Sequence, residues 1–413
     1  MVQRIALLGA TGSIGASALE VIARHPDRFK VAALTAHQQD ERLHDLIRRY
    51  QPAYAVIGTE HSGRLRAALA GQELPTRLLE GPQALEDIAR SDDVDVVITG
   101  IVGAAGLGPT LAAVSAGKRV LIANKEPLVM LGSLLLATAQ TAGATVLPID
   151  SEHNAVFQCL PESTQQEIAG AMVTDSTLAG AGVTGVTLTA SGGPFLRMPA
   201  EELAWVTPTQ AAAHPNWQMG QKISVDSASL MNKGLELIEA CVLFGLPSSQ
   251  VNVLIHPQSI VHSLVEFSDG SVLAQMAKPD MRIPIANALT YPERIASGAP
   301  ALQLQAVGAL EFEEPDPVRF PCLRLAKEAA RAGGTAPAIL NAANEIAVAA
   351  FSARQLLFPG IAELVERVLQ RLPVESVISL DQVVAVDQMA RNLAKELISS
   401  VGGGDQKAGA GKY

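Results

Sequence analysis

Cysteine, aromatic residues and positive charge are all in short supply. The 413 residues include three cysteines, Cys159, Cys241 and Cys322, far apart and odd in number. That spacing suits neither a disulfide framework nor a metal cluster, and a reducing cytoplasm is the expected setting. Lysine and arginine total 31 against 41 acidic residues, for a formal net charge of −10. A surface of that sign excludes nucleic acid or an anionic membrane as a default partner, because both are held by basic patches. A local basic pocket for a small phosphate is still permitted. No apolar run approaches the ~20 residues that span a bilayer. Met1-Val2-Gln3-Arg4 leads straight into an apolar run, so no signal or transit peptide is expected. Core material is plentiful: 48% of residues are hydrophobic and 17% charged, enough for two or three domains of ordinary size.

Residues 5–8 form an apolar run that stops at Gly9. Gly9-Ala10-Thr11-Gly12-Ser13-Ile14-Gly15 follows, then a helical pattern over residues 16–24. A strand, a glycine-rich turn and a helix in that order can hold a pyrophosphate. The glycines let backbone N–H groups approach it, and the helix N-terminus favours negative charge. The spacing is GxxGxxG rather than GxGxxG, so the motif alone also permits a plain tight turn. A second strand is expected over residues 31–34. NAD proteins place an acid near its end to bind the ribose 2′-hydroxyl. Here the chain reads Thr35-Ala36-His37-Gln38-Gln39, with no acid before Asp40. An acid would repel a 2′-phosphate and these residues would not, so NADP(H) is the expected nucleotide.

Further strands are expected over residues 53–57, 94–100, 119–123 and 145–149. A glycine-rich loop (Gly103, Gly106, Gly108) follows the second of these. Strands alternating with helices imply a parallel, doubly wound α/β sheet, which binds ligands at its strands' carboxyl ends. Lys125 and Asp150 fall there. Asp150-Ser151-Glu152-His153 allows two readings. One is a helix cap, with Ser151 at the N-cap and Glu152 in the first turn. The other is a pair of carboxylates suited to a hard divalent cation.

The pattern changes after residue 152. Residues 183–189 and 251–256 alternate, and residues 261–267 and 272–276 read as a hairpin around Asp269-Gly270. A second, α+β domain with antiparallel strands is implied. Ser191-Gly192-Gly193 suits either an anion site or a plain turn. His214, between Ala213 and Pro215 and close to Trp217, fits a binding loop. Ser227 then precedes an expected helix over residues 228–244, on which Asn232, Lys233 and Glu236 share one face. That face is either solvated, or it grips a phosphate through Ser227, Asn232 and Lys233. In the second case Glu236 completes a Mg²⁺ or Mn²⁺ site with Asp150 and Glu152. Residues 291–316, rich in proline, alanine and glutamate, read as a linker. Beyond it, helical patterns over 323–332, 338–351 and 380–398, with an apolar stripe from Ile361 to Leu372, imply a small bundle. Residues 402–413 are glycine-rich and expected to be disordered.

Taken together, these segments closely resemble the 1-deoxy-D-xylulose 5-phosphate reductoisomerase family, NADPH- and metal-dependent enzymes of non-mevalonate isoprenoid synthesis. The resemblance runs in order from about residue 4 to 398. It is carried by Gly9 to Gly15, Ala123-Asn124-Lys125-Glu126, Asp150 to His153 and Ser191-Gly192-Gly193-Pro194-Phe195. His214 to Gly220, Lys222 to Glu239, His256-Pro257-Gln258-Ser259 and Pro279-Asp280-Met281-Arg282 complete it. It implies an N-terminal Rossmann-type NADPH domain (1–150), a central α+β catalytic and dimerising domain (151–290) with a lid over 211–221, the linker, and a C-terminal helical bundle (317–400).

It also implies roles. Asp150, Glu152 and Glu236 match the family's metal ligands, for Mg²⁺, Mn²⁺ or Co²⁺. Ser191, Ser227, Asn232 and Lys233 match substrate phosphate and hydroxyl contacts, and Ser259 and Glu236 also match substrate-binding positions. Lys125, Ser151, Glu152 and His214 match groups around the reacting carbons, with Lys125, Glu152, His214 and Lys233 as catalytic candidates. Trp217 and Met219 match the lid. Gly9, Thr11, Gly12, Ser13, Ile14, Ala36, His37, Gln38, Gln39, Asn124, Glu126 and Gly220 match nucleotide contacts. The implied substrate is a small sugar phosphate and the implied assembly a homodimer. Five positions depart from the family: His37-Gln38-Gln39 replaces a frequent Gly-Lys-Asn, Pro127 replaces a serine, and Asn154 stands where serine is frequent. From the residues alone, a plain NADP-dependent dehydrogenase or a non-catalytic NADP-binding regulator are the competing readings.

Overall fold

The structure is a computed structural model that describes residues 2–174, 176–213 and 220–401. Contacts within the chain divide it into two compact units. The first holds residues up to Val186, with Val242–Gly245 and Ile260–Gly308. The second holds Thr187–Cys241, Leu246–Ser259 and residues from Ala309 onward.

In the first unit seven short strands form a parallel sheet: β1 (Gln3–Leu8), β2 (Phe29–Thr35), β3 (Tyr54–Ile57), β4 (Arg77–Glu80), β5 (Val96–Thr99), β6 (Arg119–Ile122) and β7 (Thr145–Pro148). Ile5, Ala6, Leu7 and Leu8 are buried on both faces of β1. Double burial is why this stretch reads as an unbroken apolar run instead of alternating. Their order is β4-β3-β2-β1-β5-β6-β7. The chain therefore winds outward from β1 to β4, then returns to the far side of β1 at β5. The strand order reverses between β1 and β5, and the crevice at their carboxyl ends is where this architecture binds ligands. β4 is an addition to the expected strands. It lies at the sheet edge with Arg77 and Glu80 exposed, so only two leucines mark it in the sequence.

A second sheet has the order β11-β10-β8-β9, from β8 (Val183–Ala190), β9 (Val251–Ile255), β10 (Val261–Phe267) and β11 (Val272–Met276). β10 and β11 form the expected antiparallel hairpin, with Val265 opposite Leu273 and Gly270 at φ +87° in the turn. In the first unit the helix Ser151–Cys159 packs on this hairpin, and the helix Arg282–Thr290 packs on the helix Ser13–Arg24.

The second unit carries the helical bundle: Pro321–Ala332, Ala336–Ser352, Phe358–Arg371 and Leu380–Val401. Ala336–Ser352 is its central helix. It touches the other three and the helix Gln221–Ala228, and its sequence is accordingly apolar nearly all round. Ile361, Leu364, Val365 and Val368, on the expected stripe, are fully buried. Residues 291–316 carry one short 3₁₀ turn, Leu304–Ala306, and a single bridge at Glu313, as suits a connector. Among the described residues no helix is long and apolar enough to cross a membrane.

Candidate active site

Gly9 leaves β1 at φ +86°, and a Cβ there would lie 2.6 Å from the Gly100 carbonyl at the end of β5. Only glycine permits that approach. The Gly9 N–H donates to the Thr35 hydroxyl at 2.9 Å, tying the turn to the end of β2. Gly12 and Ser13 are exposed at the start of the helix Ser13–Arg24, with Thr11 and Ile14 more covered behind them. No acid occupies the helix's first turn, so its positive end is not neutralised locally. Ala36 is buried, while His37, Gln38 and Gln39 are exposed. After β6, Asn124 is 6% exposed, and neither polar atom of its amide has a hydrogen-bond partner. Buried amides without a partner are rare. Glu126 is buried beside it in sequence, and Pro127 opens a π-helical turn, Pro127–Leu131, a first-turn position that proline tolerates.

Lys125 donates to Asp150, joining the ends of β6 and β7. The cap reading of this turn holds in part: Glu152 lies in the helix's first turn. Asp150, not Ser151, is the N-cap residue, and it makes no side-chain cap bond because its carboxylate faces Lys125. The Ser151 hydroxyl donates to Glu152. His153 is fully buried and stacks on Phe244 with centroids 6.4 Å apart. Asn154 fixes the turn from behind. Its amide donates to the Pro148 carbonyl at 3.1 Å and to Asn287 at 3.0 Å, and it accepts from Gln158 at 2.7 Å.

In the second unit the expected single helix from Ala228 is two helices, Gln221–Ala228 and Met231–Phe244. Ser227 therefore sits in the last turn of the first helix instead of ahead of the second. The break has a local cause. Ser229 turns its hydroxyl to the Asp226 carbonyl at 3.2 Å, competing with the helical backbone. Leu230 follows at φ +60°. That conformation costs a non-glycine residue about 1–2 kcal/mol. Burial of the leucine among Ala190, Ile255 and Phe320 offsets it, at about 1.5–3 kcal/mol.

The second helix carries the expected polar face, and the face is not solvated. Asn232 and Lys233 both donate to the Glu236 carboxylate, and Lys233 and Glu236 are nearly sealed from water. The Ser191 turn lies against Ser227: Gly193 is at φ +68°, and a Cβ there would meet the Ser227 carbonyl at 2.7 Å. Ser259 is buried at φ +52° past the end of β9. Gly220 is exposed and caps the helix Gln221–Ala228. His214, Trp217 and Met219 lie outside the described residues, as do residues 402–413 of the expected tail.

Sequence reasoning missed Asp226. It is 1% exposed, pairs with Lys222 at 2.9 Å, and accepts from Asn344 of the central bundle helix at 2.8 Å. The available signal was Asn341 and Asn344, two amides at helical spacing in an otherwise apolar helix.

Three family profiles match the sequence in order. They are 1-deoxy-D-xylulose 5-phosphate reductoisomerase over residues 5–132, its C-terminal domain over 146–244, and the DXP reductoisomerase C-terminal domain over 276–393. A Pseudomonas putida protein named 1-deoxy-D-xylulose 5-phosphate reductoisomerase is 56% identical over 395 residues, which is 95% of this chain and 96% of its own length. One of the same name from Pseudomonas aeruginosa is 54% identical over 398 residues, 96% and 98% of the two chains. A crystal structure of DOX-P reductoisomerase in complex with NADPH, fosmidomycin and magnesium superposes with a TM-score of 0.91 at 45% identity, covering 98% of this chain and 100% of that one. The Zymomonas mobilis enzyme in complex with NADPH gives 0.87 at 43%, covering 97% and 100%. With matches of this extent, the chain belongs to the 1-deoxy-D-xylulose 5-phosphate reductoisomerase family.

Proposed function

We infer that the chain catalyses the NADPH-dependent rearrangement and reduction of 1-deoxy-D-xylulose 5-phosphate to 2-C-methyl-D-erythritol 4-phosphate, a step of the non-mevalonate isoprenoid route. The residues present fit both groups that relatives bind. The orphaned amide of Asn124 and the glycine-only gap between Gly9 and Gly100 suit NADPH. Asp150, Glu152 and Glu236 offer hard carboxylate oxygens, the donor type that magnesium prefers. We assign these three as the cation's ligands, with manganese or cobalt as substitutes. When bound, the cation would polarise the ketose oxygens and favour developing negative charge.

The remaining roles belong to side chains. Ser191, Ser227, Asn232 and Lys233 would hold the substrate phosphate, Ser151 and Ser259 would meet its hydroxyls, and Lys125 would add positive charge near the reacting carbons. Glu152 would hold or move a proton at its carboxylate. Binding energy from the phosphate, remote from the reacting carbons, is available for orientation. His214 and Trp217 would cover the site within a lid over 211–221 and exclude water from a reactive aldehyde. The observation that carries these assignments is the sealed Asn232–Lys233–Glu236 face. A plain dehydrogenase or a non-catalytic regulator has no use for a buried lysine and carboxylate there.

We further propose the functional division 1–150, 151–290 and 317–400, a cytoplasmic setting, and a homodimer. The dimer reading is supported by β11, an edge strand with Val272 52% and Leu273 48% exposed. The deciding experiment is Glu236→Gln. It should abolish turnover and leave NADPH binding nearly intact, and normal activity of the variant at limiting Mg²⁺ would sink the assignment.

A further inference from the structure

Near the ends of β2 and β3 lies an arginine that the assignments above leave unused. β3 lies beside β2 in the sheet, with Thr35 opposite Val56. The turn His37-Gln38-Gln39 leaves β2, and Gly58 leaves β3 to open the helix Thr59–Leu69. The two turns touch: the Gly58 N–H donates to the His37 carbonyl at 3.1 Å, and a Cβ at Gly58 would meet the His37 ring at 2.8 Å. From the second turn of that helix, Arg64 reaches back to the start of the helix Asp40–Tyr50. Its Nε lies 3.0 Å from the Asp40 carboxylate, and its Nη2 lies 2.9 Å from His61 Nδ1. Asp40 thus orients the guanidinium beside the exposed turn, while the Arg64 side chain stays 70% exposed.

The β2 end is where a doubly wound fold reads the adenosine ribose. An acid there selects a 2′-hydroxyl, whereas a nearby arginine accommodates a 2′-phosphate. The first acid after β2, Asp40, is engaged by Arg64, and that pairing offsets the negative charge it would turn toward a 2′-phosphate. A guanidinium offers five N–H donors, of which these contacts use two. Charge-assisted, forked hydrogen bonds to a phosphate are what the remainder can supply.

We propose that Arg64, oriented by Asp40, binds the 2′-phosphate of NADPH and sets the preference for NADPH over NADH. The proposal rests on the reductoisomerase reading above, and the test separates the two. Arg64→Ala and Arg64→Lys would be assayed with saturating substrate and Mg²⁺ while NADPH or NADH is varied. Binding of adenosine 2′-monophosphate and adenosine 5′-monophosphate would be measured by calorimetry. Arg64→Ala should raise the KM for NADPH about 10- to 100-fold, the worth of one hydrogen bond to a charged group. The KM for NADH should stay within about twofold, well below one decade of affinity. Arg64→Lys should restore part of the loss. Adenosine 2′-monophosphate should weaken in parallel with NADPH, and adenosine 5′-monophosphate should not. An unchanged NADPH KM, or equal losses for both nucleotides, overturns the proposal. Failure of the unsubstituted chain to consume NADPH would instead defeat the functional reading.

Discussion

Two of the assigned carboxylates each hold a lysine, in contrasting surroundings. Asp150 accepts from Lys125 at the end of β7, where the two side chains keep 12% and 18% of their exposure. Glu236 accepts from Lys233 within one turn of the helix Met231–Phe244, at 2% and 4%. The first pair joins two strand ends and keeps more exposure than the second, so its lysine can exchange for an incoming cation at lower desolvation cost. The second is set by spacing along one helix and closed off by packing. Removing one partner there unbalances a buried charge, which is the costly case. The comparison separates a pair suited to exchange from a pair that fixes a carboxylate in place.

Lys233→Met and Lys125→Met test that contrast most directly. Urea denaturation should show a loss of about 3–5 kcal/mol for Lys233→Met, because the buried Glu236 carboxylate loses the lysine beside it. Lys125→Met should lose less, about 1.5–3 kcal/mol, the worth of a hydrogen bond to a charged group. Adding Glu236→Gln to Lys233→Met should restore much of the stability. Equal losses for the two lysine variants would erase the distinction between the pairs. Lys233→Met should also raise the substrate KM strongly. A variant that folds with an unchanged KM would remove this lysine from the phosphate site.

A gentler comparison sets the two glycine turns against each other. Gly193→Ala forces a Cβ to 2.7 Å from the Ser227 carbonyl at φ +68°, and Gly9→Ala forces one to 2.6 Å from Gly100 at φ +86°. Each substitution should cost roughly tenfold in one ligand, from left-handed strain of about 1–2 kcal/mol. Gly193→Ala should raise the substrate KM and spare the NADPH dissociation constant, and Gly9→Ala should do the reverse. A shared loss of both ligands in either variant would show that the two turns do not act separately.

Where contacts are local, the sequence carried the reading. The strand–turn–helix at Gly9, the β10–β11 hairpin and the stripe from Ile361 follow from apolar period and turn chemistry over a few residues. The polar face of Asn232, Lys233 and Glu236 was legible for the same reason, although its burial was not. Burial depends on what packs over the helix. The break at Ser229-Leu230 escaped because a serine hydroxyl and a leucine in left-handed conformation leave no periodic trace. β4 escaped because two leucines between charges do not announce a strand. Arg64 meets Asp40 only because β3 lies beside β2, and Asp226 meets Asn344 across 118 residues of sequence. Such partnerships belong to topology, and no spacing rule exposes them.

The smallest expected effect comes from a third carboxylate–cation pair, the most exposed of the three at 21% and 17%. Arg282 forks onto Asp280 at 2.6–3.2 Å and reaches Glu20 of the nucleotide-side helix at 3.0 Å. Burial pushes the Asp280 carboxyl up, but the hydrogen bonds and charge of Arg282 outweigh it and hold it below the ordinary 3.8. A carboxylate depressed in the folded state stabilises the fold above its unfolded-state value. That contribution disappears as pH falls through the lower folded-state value. Melting temperatures of the unsubstituted chain and of Asp280→Asn should therefore differ most near neutral pH, with the variant less stable. They should converge as pH falls below the ordinary 3.8 and through the lower folded-state value. Parallel curves over that interval would mean that Arg282 contributes packing alone, and that only Lys233–Glu236 and Lys125–Asp150 belong in the comparison.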